Sequence, residues 1–521
     1  MSGLLFLNHP PINPSVPTRT DIACFVGFVA RRPGTPLSPS IQQWLDEQGW
    51  TAPPYQRPLD TLLNLPIPID RWDVFDQLFL WEQRPLDSHG QTAITYLGAA
   101  VRSFFTQGGR KCYVVRVGDP WPYSTPRSNR LPRIADLIPG YPSQFTPSPL
   151  DRDSWLGVGH IFGLPDVSFL SLPDLCDVVQ DEISLTPVDI PTPPTSEQFV
   201  ECSTSIPIPT SDGAAKTFRG PRCQDAGYQD WARALNLIIE QLIRHTREVQ
   251  LLAAVPIPQE DSEAEEDFPA FLTRSTTGPL ASHPDLQPLG VASNFLQLVY
   301  PWLRSSSSRN LPEQLESPEG VFSGLLARNA LIRGSFHSAA RLPLIEVYDL
   351  FPSIPKNQLT PPTRLPHDQS KLDTHISLFY QSPAGFSLLT DVTTSLNTAY
   401  RPGGVNRLVS VIVRAARELG EGLTFEPSGE RLWSLMKAGL DTLLGNLLQI
   451  GALHGTRPAD AFQVRCDRST MSQQDLDQGR VIAEVNFQAA YPIEQITIFL
   501  GMDEGGQVSL LSTDSTPAMS Q

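Results

Sequence analysis

The sequence predicts a mixed chain, α/β in its first two-thirds and α+β near the C-terminus. Three observations predict this. A near-continuous apolar run, Asp21 to Ala30 (DIACFVGFVA), suits a strand buried on both faces. Helix and strand follow each other between Thr92 and Val117 and again between Tyr228 and Pro256, as layered α/β proteins require. Two amphipathic helices and three strand-like segments then fill residues 405–500.

Taken in order, residues 31–70 are punctuated by proline, with a short helical pattern from Ile41 to Gln48. From Arg71 to Trp81, Trp72, Phe75, Leu78 and Phe79 recur at helical spacing. Thr92 to Gln107 predicts the clearest helix of this half, with Ile94, Leu97, Ala100, Val101, Phe104 and Phe105 on one face. Gly108 and Gly109 supply its left-handed stop, and Lys111 to Val117 (KCYVVRV) is the strand that follows. Gly118 to Leu156 reads as loop, and Val167 to Leu172 as a strand. Residues 177–227, rich in Pro, Ser and Thr without periodicity, read as a surface insertion.

Trp231, Leu235, Ile238, Ile239 and Leu242 form the buried stripe of a helix over Tyr228 to Glu248, and Val249 to Pro256 returns as a strand. Six acids crowd Glu260 to Asp267; without the central glycine of a calcium loop they read as a solvated, self-repelling segment. Short elements follow at Asn294 to Leu303 and Gly320 to Ile332, then a proline-rich connector from Pro352 to Pro366. Val405 to Leu419 predicts an amphipathic helix, and Pro427 and Ser428 open another whose inner stripe runs through Leu432, Leu435, Met436, Leu440, Leu443, Leu447 and Gly451. Phe462 to Cys466, Val481 to Phe487 and Gln495 to Leu500 complete the module as strands. The implied segments are 1–20, an N-terminal arm; 21–150, an α/β part; 151–370, a middle or outer region with insertions; 371–494, an α+β domain; and 495–521, a C-terminal arm and tail.

Composition narrows the function classes. The 521 residues carry 39 Lys and Arg against 55 Asp and Glu, a net charge of −16, which argues against nucleic acid as the main partner. The 51 prolines exceed the usual 5% or so, so long stiffened loops join the elements. Six cysteines at irregular spacing, without a CxxC pair, predict reduced thiols in a cytosolic setting. No run of about 18 apolar residues occurs, and Leu4 to Leu7 lacks the basic flank of a signal peptide, so neither a membrane span nor a secretory leader is expected.

Chemistry-bearing motifs are missing too. There is no phosphate-binding glycine loop in the strand–loop–helix order, no HExxH and no GxSxG. None of the nine histidines pairs with another His or Cys at ligand spacing. Cys112 and Cys466 read as inert buried thiols, and Asp475, Asp477 and Glu484 as ordinary acids around a turn. No catalytic residue, metal or cofactor is expected. One charge feature stands out: Arg407, Arg414 and Arg417 gather on the outer face of the Val405 to Leu419 helix, a stripe that suits either solvent or an acidic partner.

Several blocks together resemble the contractile tail sheath proteins of phages and related injection systems. They are Thr20 to Ala30, TYLGAAVRSFFTQGGRKCYVVRV (Thr95 to Val117), LPDVSFLSLPDL, VYPWLR (Val299 to Arg304), Ser317 to Gly334, Gly404 to Leu453, AFQVRCD (Ala461 to Asp467) and LDQGRVIAEVNF (Leu476 to Phe487). Their common order over most of the chain carries the resemblance. It departs from the family before Thr20, where the usual glutamate-rich lead is not evident, and after Leu500, where the chain continues to Gln521.

The resemblance implies a sheath-type inner module built from N- and C-terminal parts, with an inserted outer region. It implies a structural, non-enzymatic subunit forming hexameric rings stacked helically around an inner tube, whose contraction drives that tube into a target membrane. The implied partners are further copies of the chain, the inner tube protein, and baseplate and cap proteins; nucleic acid and direct membrane insertion are not implied. Assembly would be cytoplasmic, with any anchoring supplied by other components. Arg407, Arg414 and Arg417 become tube-facing candidates. Leu4, Leu5, Phe6 and Leu7, with Ile496, Thr497, Ile498, Phe499 and Leu500, become candidate arms that pair across subunits. Two other readings stay open: a sheath-like cap or baseplate-proximal component, and a cytosolic α/β enzyme with an unrecognised site.

Overall fold

The computed structural model describes residues 19–86, 90–182, 218–259, 291–354, 372–423, 427, 429–490, 496–502 and 508–510. Two compact units emerge, one of residues 20–404 and one of residues 405–521 together with Arg19.

The larger unit is built on an eight-stranded sheet. Its strands are β1 (Ala23–Phe28), β2 (Pro66–Ile69), β3 (Cys112–Gly118), β4 (Phe169–Ser171), β5 (Gln250–Ala254), β6 (Leu296–Tyr300), β7 (Ile376–Ser382) and β8 (Gly385–Leu388). The order is β8-β7-β6-β5-β4-β1-β3-β2. The central six are parallel, and β8 and β2 are antiparallel additions at the two edges. Covered on both faces, β1, β5 and β6 are buried along their whole lengths, as their largely apolar composition favours, with Gln250 and Gln297 the buried polar residues of β5 and β6.

Helices α1 (Tyr96–Thr106), α2 (Asp225–Arg244) and α3 (Glu319–Arg333) pack in this unit. Thr95 caps α1, its hydroxyl accepting from Gly98 N at 3.0 Å, and Gly108 ends the helix with a left-handed φ of +104°. Two glycines one turn apart let α3 lie directly on α1. A Cβ on Gly320 would sit 2.3 Å from Ala100 O, and one on Gly324 2.5 Å from Phe104 O.

Both edges of this sheet are closed. In β2 (PIPI), Pro66 and Pro68 have no N–H to offer another strand. Beside β8 the chain itself supplies the next row, with Leu344 N donating to Phe386 O at 2.9 Å and Leu388 N to Leu342 O at 3.1 Å.

The smaller unit contains α4 (Gly403–Leu423, of which 405 onward belongs here), α5 (Glu430–Gln449), and strands β9 (Phe462–Arg465), β10 (Val481–Phe487), β11 (Ile496–Met502) and β12 (Val508–Leu510). The strands form an antiparallel sheet in chain order, with seven residue pairs from Val481↔Met502 to Phe487↔Ile496 joining β10 and β11. The α4 stripe read from sequence is buried, at Val405, Leu408, Val409, Ile412, Ala416 and Leu419. On α5 Leu432, Met436, Leu440, Leu443 and Leu447 are buried, whereas Leu435 is only half-buried and Gly451 is exposed beyond the helix end, in a left-handed turn with φ of +78°. Gly439 lets the helices meet closely, since a Cβ there would lie 2.6 Å from Leu419 Cδ2.

The mixed α/β and α+β class holds, with differences in detail. No boundary falls at 150 or at 370, because strands from residues 23 to 388 share one sheet. The hairpin β7–β8 belongs to that sheet, so the smaller unit starts at Val405, not residue 371. Residues 118–156 contain short helices at Arg127–Arg130 and Ile134–Leu137, too brief to show periodicity. The expected insertion 177–227 is structured at both ends, with the helix Leu175–Val179 on one side and Arg222–Cys223 on the other.

Candidate functional site

A parallel sheet wound both ways from β1 places its natural ligand crevice at the carboxyl ends of β1 and β4. Here the chain's own side chains fill that place. Asp174, two residues beyond Leu172, accepts from Phe28 N at 2.7 Å and from Leu97 N, in the first turn of α1, at 3.3 Å. A carboxyl thus occupies the helix N-terminus where a phosphate would otherwise sit. A Cβ on Gly27 would lie 2.2 Å from Asp174 Oδ2, so glycine is required there. Beside it, Arg84 pairs with Asp177 at 2.9 Å, with both side chains buried. The Arg84 guanidinium lies 4.9 Å from the Tyr123 ring centre and 5.3 Å from that of Trp121.

Other ionisable groups of the larger unit are sealed in the same manner. Burial pushes the Asp174 carboxyl up to about 7, against the opposing pull of the Phe28 and Leu97 amides. Burial likewise raises Glu316 to about 7 and Glu319 to about 8. Burial lifts the Cys24 thiol to about 12, and it holds His160 neutral, at about 3, with Arg57 and Arg152 adding to the effect. His160 packs against Trp50 with ring centres 5.3 Å apart and the rings tilted, and neither ring nitrogen has a hydrogen-bond partner among the described residues, so it is poised neither as base nor as ligand. Among the described residues no group of three or more His, Cys, Asp or Glu could hold a metal ion.

A second buried cluster went unread in the sequence. Glu313 and Gln314 both adopt left-handed backbone, with φ of +53° and +59°. This turns the Glu313 carboxylate into a two-pronged contact with Arg222, at 2.6 and 3.1 Å, while Oε2 also accepts from Gly220 N at 2.7 Å. Arg304 Nε donates to Glu313 O at 3.0 Å, and Arg304 also pairs with Asp349. Phe351 lies against both guanidinia, 5.4 Å from Arg222 and 5.5 Å from Arg304. These contacts bind remote parts of the chain, and none is arranged around a reacting centre. The left-handed pair is the only local signal, and it is conformational, so residue types do not reveal it.

The smaller unit holds the residues singled out for assembly. Arg407 is 5% exposed, and Arg414 and Arg417 are half-buried. The three therefore do not form one exposed outer row: seven-residue spacing sets direction around a helix, not depth below the surface. Arg414 Nη1 donates to Arg19 O at 3.4 Å, which ties α4 to the N-terminal end of the chain. Leu4, Leu5, Phe6 and Leu7 lie outside the described residues. Ile496 to Leu500 fall within β11, which in this chain pairs with β10 of the same chain. Unlike the larger sheet, this one has an unclosed side: among the described residues no strand pairs with the outer edge of β9. Cys466 is buried and its thiol raised to about 12 by burial, while Arg465 pairs with Glu484 across β9 and β10. Asp475 accepts from Ser472 N at 3.0 Å as part of a capping box, which is a turn-stabilising role.

Among the described residues no helix is long and apolar enough to cross a membrane.

No family model and no curated protein matches the sequence. Solved structures do match its fold. The helical sheath of the anti-feeding prophage (AFP) in the contracted state aligns with 95% of this chain and 97% of its own, at a TM-score of 0.53 and 18% identity. A chain of the sixfold-symmetrised AFP baseplate aligns over the same shares, at 0.52 and 17% identity. The chain therefore shares the fold of these sheath structures over 95% of its length.

Proposed function

We propose that this chain is a structural, non-enzymatic subunit of a contractile sheath, polymerising around an inner tube and contracting to drive that tube into a target membrane. The observation that carries the reading is the match to the contracted AFP sheath over 95% of the chain. The physical character of the two units supports it. The larger unit has its ligand crevice stopped by Asp174 and both sheet edges closed, so it is suited to a rigid body. Strand pairing remains available in the smaller unit, on the outer edge of β9.

An added strand binds through main-chain hydrogen bonds and tolerates a changing side-chain environment, as a joint between moving subunits must. We assign the joints to Leu4–Leu7 and to β11. The register that β11 makes with β10 in one chain can be made equally by β11 of a neighbouring copy, which is the geometry of an exchanged element. The arrangement we propose is hexameric rings stacked helically, assembled in the cytoplasm, with baseplate and cap proteins at the ends. Arg414 and Arg417, the more accessible members of the arginine row, are the candidates for an acidic inner tube, since charge contacts are geometrically forgiving and salt-sensitive.

Negative-stain microscopy of the purified protein tests the reading. Helical tubes are expected, lost on deletion of residues 1–8 while the protein stays folded; normal tubes from that deletion would remove the arm role, and persistent monomers of the intact protein would remove the sheath role. The likeness to an AFP baseplate chain favours one second reading, a baseplate-proximal component, for which isolated rings without tubes would be the result.

A further inference from the structure

The larger unit buries five acids near the carboxyl ends of its strands and around α1 and α3, and they fall into two kinds. Asp177 and Glu313 are paired with Arg84 and Arg222. Asp174, Glu316 and Glu319, at 3%, 0% and 2% exposure, have no ion-pair partner among the described residues. Each of these three holds a joint. Asp174 joins the end of β1 to the start of α1. Glu319, in the first turn of α3, accepts from Ala254 N at the end of β5 at 2.7 Å. Glu316 accepts from Ser103 Oγ on α1 at 2.8 Å.

We infer that these three carboxyls form a pH-sensitive device: protonated, they seal α1 and α3 onto the strand ends, and their ionisation loosens that seal. A buried carboxylate without a cation is strongly disfavoured, so the folded chain holds such a group as the acid. The glycine contacts seat α3 directly on the backbone of α1 at their crossing. The charged groups that face the three do not offset this. Asp174 has Asp177 opposing its ionisation and Arg84 favouring it, but Arg84 is already paired with Asp177. Glu319 has Asp174 as its charged neighbour and lies near the Cys176 thiol. Glu316 has Arg102, whose guanidinium lies instead over Trp72 and Trp81, at 5.8 and 5.7 Å. All three carboxyls are accordingly raised, to about 7, 7 and 8.

The sign follows from linkage. Unfolded carboxyls lose their protons near pH 4, whereas these keep theirs until pH 7 to 8. Across that window the folded chain binds more protons, so stability is greatest at the acid end and falls as pH rises. The slope is about tenfold in the unfolding constant per pH unit for each carboxyl.

The test is infrared spectroscopy with unfolding curves of the full chain between pH 5 and 9. The wild-type protein should show a protonated-carboxyl C=O band at pH 6 that disappears by pH 9, and a melting temperature that falls over that range. Asp174→Asn, Glu316→Gln and Glu319→Gln should each reduce the band and flatten the pH dependence. If a variant does not fold, the wild-type band alone decides. No protonated-carboxyl band at pH 6, or a melting temperature level or rising from pH 6 to 8, overturns the inference.

Discussion

The crossing of α1 and α3 permits a sharp mechanical prediction, because one chemical change should act with opposite signs at two sites. Replacing a mid-helix glycine by alanine favours a helix by about 1 kcal/mol. Gly445, inside α5, has nothing within 4 Å of an added Cβ, so Gly445→Ala should return most of that gain. At Gly324 the same methyl would lie 2.5 Å from Phe104 O, 2.7 Å from Gln107 Cβ and 2.9 Å from Phe104 Cα. Ordinary contact begins near 3.4 Å, and two of these atoms belong to the backbone of α1, so the helices must move apart by several tenths of an ångström. Overpacking of this kind costs about 1–3 kcal/mol. Because backbone cannot rotate away, the upper part of that range applies, leaving a net loss of about 1–2 kcal/mol after the helical gain. Gly320→Ala, 2.3 Å from Ala100 O, should behave alike, and the double variant should lose less than the sum because one separation relieves both contacts. Denaturant unfolding followed by circular dichroism reads both signs. If Gly324→Ala stabilises as much as Gly445→Ala, the direct seating of α3 on α1 is wrong.

Further outcomes follow from single contacts. Asp177→Ala should destabilise the chain by about 3–5 kcal/mol in a denaturant titration, because it strands the buried Arg84 charge, whereas an exposed pair such as Arg71–Asp73 should move stability by less than about 1 kcal/mol. Cys24 and Cys466, both pushed up to about 12, should resist iodoacetamide at pH 8 in the native state and react once denaturant is added, as mass spectrometry of the labelled peptides would show. Arg414→Glu with Arg417→Glu should weaken co-sedimentation with an inner tube while leaving the circular dichroism spectrum unchanged; undiminished co-sedimentation would return both residues to a solvent-facing role.

Much of the local structure was legible because it is carried by periodicity. The stripe of α4, most of the stripe of α5 and the glycine stop at Gly108 are consequences of residue order; in β10 the predicted inner residues are buried, but Ile482 and Asn486 on the other face are buried too. The hairpin β7–β8 was harder, since the place of Ile376–Ser382 (ISLFYQS) beside β6 depends on a partner about 80 residues away in sequence. The arginine row shows the same limit from the other side: spacing aligned Arg407 with Arg414 and Arg417, but depth separated them.

By itself, then, the sequence determined the apolar faces of the longer helices, several of the strands, and that no recognised catalytic motif is present, since these depend on neighbours within a few residues. Only the tertiary structure decided that one sheet gathers strands from residues 23 to 388, that its crevice is filled by Asp174, and that, among the described residues, Glu316 and Glu319 are buried without an ion-pair partner while Asp177 and Glu313 have one. The reason is dielectric as well as geometric. An acid's chemistry is set by which atoms surround it, and those atoms come from segments that meet only when the chain has folded.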